Sequence, residues 1–189
     1  MTSARRISGQ VSSRGQVTGM SKNWNTSLQG VSASWPDVHA SVPEIGRFFT
    51  DQENQQRLRV AVIGETVRRQ IFGEKESHPV EKALGEFIKV NGVSFQIIGI
   101  LPEKGANGFR DQDDVVMIPL MTAMHRVMGR EYLESIELEI DSPLNIEASQ
   151  QTATDILYQI HKIPTSQQEE AFQVRNMADI QAALQQSSQ

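Results

Sequence analysis

Residues 86–102, EFIKVNGVSFQIIGILP, constrain the fold more than any other stretch of the chain. Two apolar, β-rich runs flank Asn91-Gly92. A two-residue hairpin turn needs positive φ at both central positions, and this dipeptide tolerates it. The pattern predicts strands over 86–90 and 93–101, with Pro102 ending the second. A hairpin this apolar needs a sheet to bury it. The neighbouring runs supply candidates. RVAVI at 59–63 is a short continuous apolar run ending in Gly64, as in a strand buried on both faces. In ETVRRQIFG, Val67, Ile71 and Phe72 share one helical face and Gly73 is the expected stop. VVMIP at 115–119 reads as another strand, and 122–128 as a short helix with Met124 and Met128 one turn apart.

The first 30 residues show weaker alternation at Val11, Val17, Trp24 and Leu28. They predict two edge-like strands joined near 19–25. Residues 31–50 hold two prolines and a glycine and read as loop and turn, with Thr50 and Glu53 placed to cap a short helical turn. Residues 74–84, mostly polar around Pro79, read as a loop. After 135, Ile136, Leu138 and Ile140 alternate with glutamates, predicting a half-buried strand with Glu137 and Glu139 on its wet face. Residues 145–161 predict an amphipathic helix through Ala153, Ile156, Leu157 and Ile160. A strand at Phe172 and Val174 and a helix over 179–184 would complete a βαβ-type unit. The fold class expected is α+β: a β-rich subdomain over 1–130 and a small α/β subdomain over 131–189.

With 189 residues, 38% of them hydrophobic and 22% charged, the chain has the composition of a globular protein. The net charge of -5 leaves no electrostatic footprint for nucleic acid or an anionic membrane surface. The absence of cysteine excludes disulfides, thiol catalysis and thiolate metal sites, and agrees with an extracytoplasmic setting. No run approaches the roughly 18–20 apolar residues that span a bilayer. MTSARRISGQ lacks the apolar core of a signal peptide.

Catalytic chemistry is not legible. His39, His78, His125 and His161 are scattered, with no two at metal-ligand spacing. His125 and Glu131 are too isolated to make an acid–base pair. Gly64-Glu65-Thr66 opens a helix as phosphate-binding turns do, but the further glycines and the lysine of such turns are missing, so a plain strand-to-helix turn is expected. No Gly-x-Ser-x-Gly or Ser-x-x-Lys occurs. Asp111, Asp113 and Asp114 supply oxygen ligands without the glycine and closing glutamate of a calcium loop. On local grounds KGANGFRDQDD at 104–114 is a solvated acidic loop, a weak cation site or an interaction loop. No catalytic residue, metal or cofactor is expected.

Five segments in order carry a resemblance: GQVTGMSKNWNTSLQGVSASW, EIGRFFTDQE, RVAVIGETVRRQIFG, IKVNGVSFQIIGILPEKG and DQDDVVMIPLMTA, with a weaker sixth, FQVRNMADI. Together, over about 10–185, they resemble the periplasmic core domain of MacB-type ABC transporter permeases. Two departures stand out. HPVEKALGEFIKV has Glu81 where the family has glycine, and reads as a longer loop. The strand and helix that open the family domain precede the first matching segment, so the first half of the membrane-proximal lobe is expected outside this chain.

The resemblance implies a non-catalytic extracytoplasmic domain of an inner-membrane permease. Its β-rich part would be the outer lobe and its α/β part a porter-like, membrane-proximal lobe. The partners implied are the permease dimer mate, a periplasmic adaptor (membrane fusion protein) and the ATPase domain of the same transporter. The exposed loop carrying Asn107, Arg110, Asp111, Asp113 and Asp114 would belong to the surface that the adaptor or dimer mate reads. The isolated domain is expected to be monomeric. Alternatives are a related permease serving lipoprotein release or cell-wall control, a free-standing periplasmic ligand-binding protein and, last, an enzyme.

Overall fold

The computed structural model describes residues 4–74, 79–107, 110–162 and 172–176. The chain forms two compact units, one of residues 6–138 and one of 1–5 with 139–189.

The larger unit opens with a long hairpin. Strand β1, Ala4–Gly19, pairs antiparallel with β2, Lys22–Val31, from Gln10↔Val31 to Gly19↔Lys22. Met20 and Ser21 form the turn at φ 47° and 62°. A four-residue helix α1, Trp35–Val38, and a two-residue strand β3, Ile45–Gly46, follow. Helix α2, Asp51–Gln55, carries the expected cap: Thr50 Oγ1 accepts from the Glu53 amide and the Glu53 carboxylate accepts from the Thr50 amide. Two 2.8 Å hydrogen bonds from Arg47, which outweigh partial burial, hold the Glu53 carboxyl below its usual range.

Strand β4, Val60–Ile63, and helix α3, Glu65–Phe72, stand where the sequence placed them, and Gly73 ends the helix at φ 99°. A 3-10 turn at Val80–Ala83 occupies part of the expected loop. The central hairpin is β5, Phe87–Val90, and β6, Val93–Ile100, with Asn91 and Gly92 at φ 47° and 84°. A small ribbon pairs β7, Ala106–Asn107, with β8, Arg110–Asp111. Strand β9, Val115–Pro119, leads into helix α4, Leu120–Thr122, which widens to a π-helical turn over Ala123–Met128 and ends at Gly129 in the left-handed region.

The sheet order is β10-β1-β2-β9-β4-β6-β3, where β10 is Ser135–Ile140. Strand β5 pairs with both β1 and β6, so the path β1–β2–β9–β4–β6–β5 returns to its start. The first two strands are therefore interior, not edge-like as expected. The length of β1 explains this, because it serves β2 along ten residues and β5 at Val17 and Thr18. Val11, Val17 and Leu28 are fully buried.

Two apolar clusters share the sheet. Ala61, Ile63, Val116 and Ile118 join the larger one with Ile71 and Phe95. Val60, Val62, Val115 and Met117 face a second with Trp35 and Phe49. Strands β4 and β9 are thus buried on both faces, which is why each reads as an unbroken apolar run. Met124 is a core residue and Met128 packs against the same cluster. Arg68 is fully buried on α3. Its Nε and Nη2 donate to the two Glu65 carboxylate oxygens at 2.8 and 2.9 Å, and its Nη1 to the Gly73 carbonyl at 3.0 Å.

In the smaller unit, helix α5, Ile146–His161, follows a 3-10 turn at Pro143–Asn145 and buries none of its residues fully. Residues 172–176 form no strand, contrary to the expectation for Phe172 and Val174. The alternation in burial is real, but the Val174 carbonyl accepts from the Gln150 side chain at 2.9 Å, and Phe172 packs against the rings of His161 and Tyr158. The helix expected over 179–184 lies outside the described residues.

Candidate interaction loop and its supports

Two sequence features read separately, the Gly64 turn and the acidic loop, meet in space. The Gly64 amide donates to the Val115 carbonyl at 2.9 Å and the Thr66 amide to the Asp113 carbonyl at 3.2 Å. A Cβ on Gly64 would sit 2.1 Å from that Asp113 oxygen, so only glycine fits. Thr66 Oγ1 donates to Asp111 Oδ2 at 2.7 Å. The start of α3 is filled by the chain's own carbonyl and carboxylate oxygens. It is the plain strand-to-helix turn expected.

Asp111 is exposed, as its sequence reading expected, whereas Asp114 is half-buried and Asp113 is buried. Asp113 is 5% exposed. Its Oδ1 accepts from the Lys104 amide and its Oδ2 from the Gly105 amide, both at 2.8 Å, while its own amide donates to Asp111 Oδ1 at 2.9 Å. Asp114 Oδ1 accepts from Trp24 Nε1 at 2.8 Å. Carboxylates this short of water are stable because they collect hydrogen bonds from fixed donors. Asp113 gathers the two ends of the 104–112 excursion, and Gly105 at φ 75° makes the sharp turn beside it. Asn107 and Arg110 face each other in the β7–β8 ribbon; their side chains, with Gly108 and Phe109, lie outside the described part. Lys104, Asp111 and Gln112 are the exposed polar groups among the loop's described side chains, with the Lys104 ammonium 5.8 Å from the Trp35 ring centre.

The loop walls a cleft of about 630 Å³ floored by polar residues of β1 and β2, among them Gln10, Ser12 and Gln29. Trp35 and His39 line its other side. Their rings stack at 4.2 Å between centres. His39 Nε2 lies 3.2 Å from Glu137 Oε2. Burial works against charge on His39, but Glu137 and the Trp35 carbonyl outweigh it and hold its pKa above the usual 6.5, with Lys104 opposing weakly. This pairing was invisible in the sequence, where the two residues are almost a hundred positions apart. The wet-face expectation holds only in part for Glu137: its side chain is 39% exposed, but its Oε2 is buried, and Ile136 and Leu138 on the opposite side of the strand are 50% and 38% exposed.

Among the described residues, no three His, Asp or Glu side chains gather as a metal site, and His125 and Glu131 are both exposed. His78 lies outside the described residues. The cleft offers hydrogen-bonding surface.

A family model described as the MacB-like periplasmic core domain matches residues 2–156. The macrolide export ATP-binding/permease protein MacB of Bdellovibrio bacteriovorus is 46% identical over 183 residues, 97% of this chain and 27% of that protein. The protein of the same name from Chlorobaculum tepidum is 40% identical over the same shares. The chain thus spans about a quarter of the length of these curated relatives. In fold, it is similar to the periplasmic region of MacB from Actinobacillus actinomycetemcomitans, with a TM-score of 0.78 at 21% identity over 98% of this chain and 78% of that one. The extracellular domain of the transporter YknZ from Gram-positive bacteria gives 0.75 at 18% identity over 92% and 82%. The family match over most of the chain and the 46% identity over 97% of it agree: this chain belongs to the MacB-like periplasmic core domain family.

Proposed function

We propose that this domain is a non-catalytic, extracytoplasmic coupling element of an ABC transporter permease. It would carry ATP-driven motion of the membrane helices to a periplasmic adaptor or to the dimer mate. In this reading ATP hydrolysis belongs to the transporter's ATPase domain, the larger unit, residues 6–138, forms the outer lobe, and the smaller unit belongs to the membrane-proximal lobe. Transmission of that kind works by rigid-body displacement across an interface.

One observation carries the assignment of the contact surface. The 104–114 loop is braced at its base by Asp113 and Asp111 while it presents Lys104 and Gln112 to solvent. A braced loop loses little conformational freedom when a partner binds it. The aspartates named from sequence would then be supports, and the neighbouring exposed groups the surface that is read.

The test uses the full-length permease and its adaptor, with Lys104→Glu and Gln112→Lys combined. Binding is expected to weaken about tenfold, the loss typical of well-placed interfacial polar groups. Unchanged affinity and unchanged export would overturn the assignment of this loop. The same variant with normal thermal unfolding shows that the loss is one of contact.

A further inference from the structure

Helix α1 and its flanks touch both strands by which the chain leaves the larger unit. The chain crosses the unit boundary between Arg5 and Arg6 on β1, and between Leu138 and Glu139 on β10. On the β1 side, Ser34 Oγ donates to the Ile7 carbonyl at 2.6 Å, and Asp37 Oδ2 lies 3.5 Å from Arg6 Nε. On the β10 side, His39 faces Glu137 at 3.2 Å. Three contacts from six consecutive residues grip the last residues of the larger unit on both strands.

The histidine contact depends on charge for a geometric reason. His39 Nδ1 lies 3.0 Å from the Trp35 carbonyl, and a carbonyl only accepts. The ring thus faces an acceptor at each nitrogen, this carbonyl and the Glu137 carboxylate. The neutral ring has one N–H for the two, so one of these contacts sets a bare nitrogen against an oxygen. In the imidazolium Nε2–H faces Glu137 and the contact is attractive. That Glu137 oxygen is buried and has no hydrogen-bond partner among the described residues, so the imidazolium is its nearest compensation. The other groups acting on His39 are the Trp35 ring stacked on it and Lys104, which opposes its charge; Asp37, on its own helix, is engaged by Arg6.

We propose that residues 34–39 are a pH-dependent clamp on the two strands that lead out of the larger unit, closed when His39 is charged and loosened when it is neutral. This stands independently of the transport reading. The sign follows from the proton count. A group whose pKa is raised on folding stabilises fully below its unfolded value, near 6.5, and the effect is lost as pH rises through the folded value. The clamp therefore holds in mildly acidic medium and loosens toward alkaline pH.

The experiment is an NMR titration of the His39 ring in this chain, with amide exchange followed across the same pH range and corrected for intrinsic chemistry. His39 is expected to titrate above 6.5. Protection at 136–138 and 6–8 is expected to fall roughly two- to fivefold through that titration, the range for a partly exposed ion pair, while 60–63 stays protected. In Glu137→Gln, and in His39→Phe, which keeps a ring on Trp35, the step should vanish. A His39 value at or below 6.5, protection that ignores pH, or a step that survives in Glu137→Gln would overturn the clamp.

Discussion

Strand β4 is VAVI and buries all four side chains; strand β10 is SIELEI and buries none fully, leaving Ile136 and Leu138 substantially exposed. β4 lies between β9 and β6 with an apolar cluster on each face, and β10 ends the sheet. Periodicity of two says that the faces of a strand differ. It does not say which face is inside. In β10 the carboxylate of Glu137 turns toward His39, and on the other side Leu138 is about as exposed as the Glu137 side chain and Ile136 more so. An interior strand is set by its surroundings on both faces, whereas a terminal strand is set by its few specific contacts.

This contrast can be broken at several points. The largest effect is expected at the interior strand. Ile63→Ala removes a fully buried side chain with little room to collapse, and should destabilise the chain by about 2–5 kcal/mol in denaturant titration. A loss below about 1 kcal/mol would mean that β4 is not the rigid centre described. Next comes the loop brace, which shows that a polar residue can also be core. Asp113→Ala strands the Lys104 and Gly105 amides and should cost about 2–3 kcal/mol by the same measurement. A solvated aspartate, as the sequence suggested, would cost close to nothing. The smallest effect is expected on β10, where Ile136→Ser should change stability by no more than about 0.5 kcal/mol. A larger loss would place Ile136 in a core.

The elements near the centre were legible because several signals agreed there. Asn91-Gly92 fixed a turn that few dipeptides accept, and RVAVI, Gly64 and the Val67–Ile71 spacing marked a strand, a turn and a helix face in succession. Thr50 and Glu53 announced their capping box. Reading failed where a residue's role depends on a distant partner. Asp113 belongs to the interior only because two amides and the Gly64 turn converge on it. Phe172 and Val174 alternate without forming a ladder among the described residues, and a glutamine side chain takes the Val174 carbonyl. Arg68 gave no sign of burial, since its pairing with Glu65 at i, i+3 looks like any exposed helical pair.

By itself, the sequence determined the family, the α+β class, the central hairpin and the positions of the long apolar strands. These rest on local rules: turn geometry, the period of the side chains and short segments in a fixed order. Tertiary structure alone decided that β1 and β2 lie inside a closed path of strands, that the acidic loop is held by its own buried aspartate, and that His39 meets Glu137. Each depends on groups brought together from far along the chain. The energy of a polar or charged group follows from the donors and the solvent around it, and only the fold sets those.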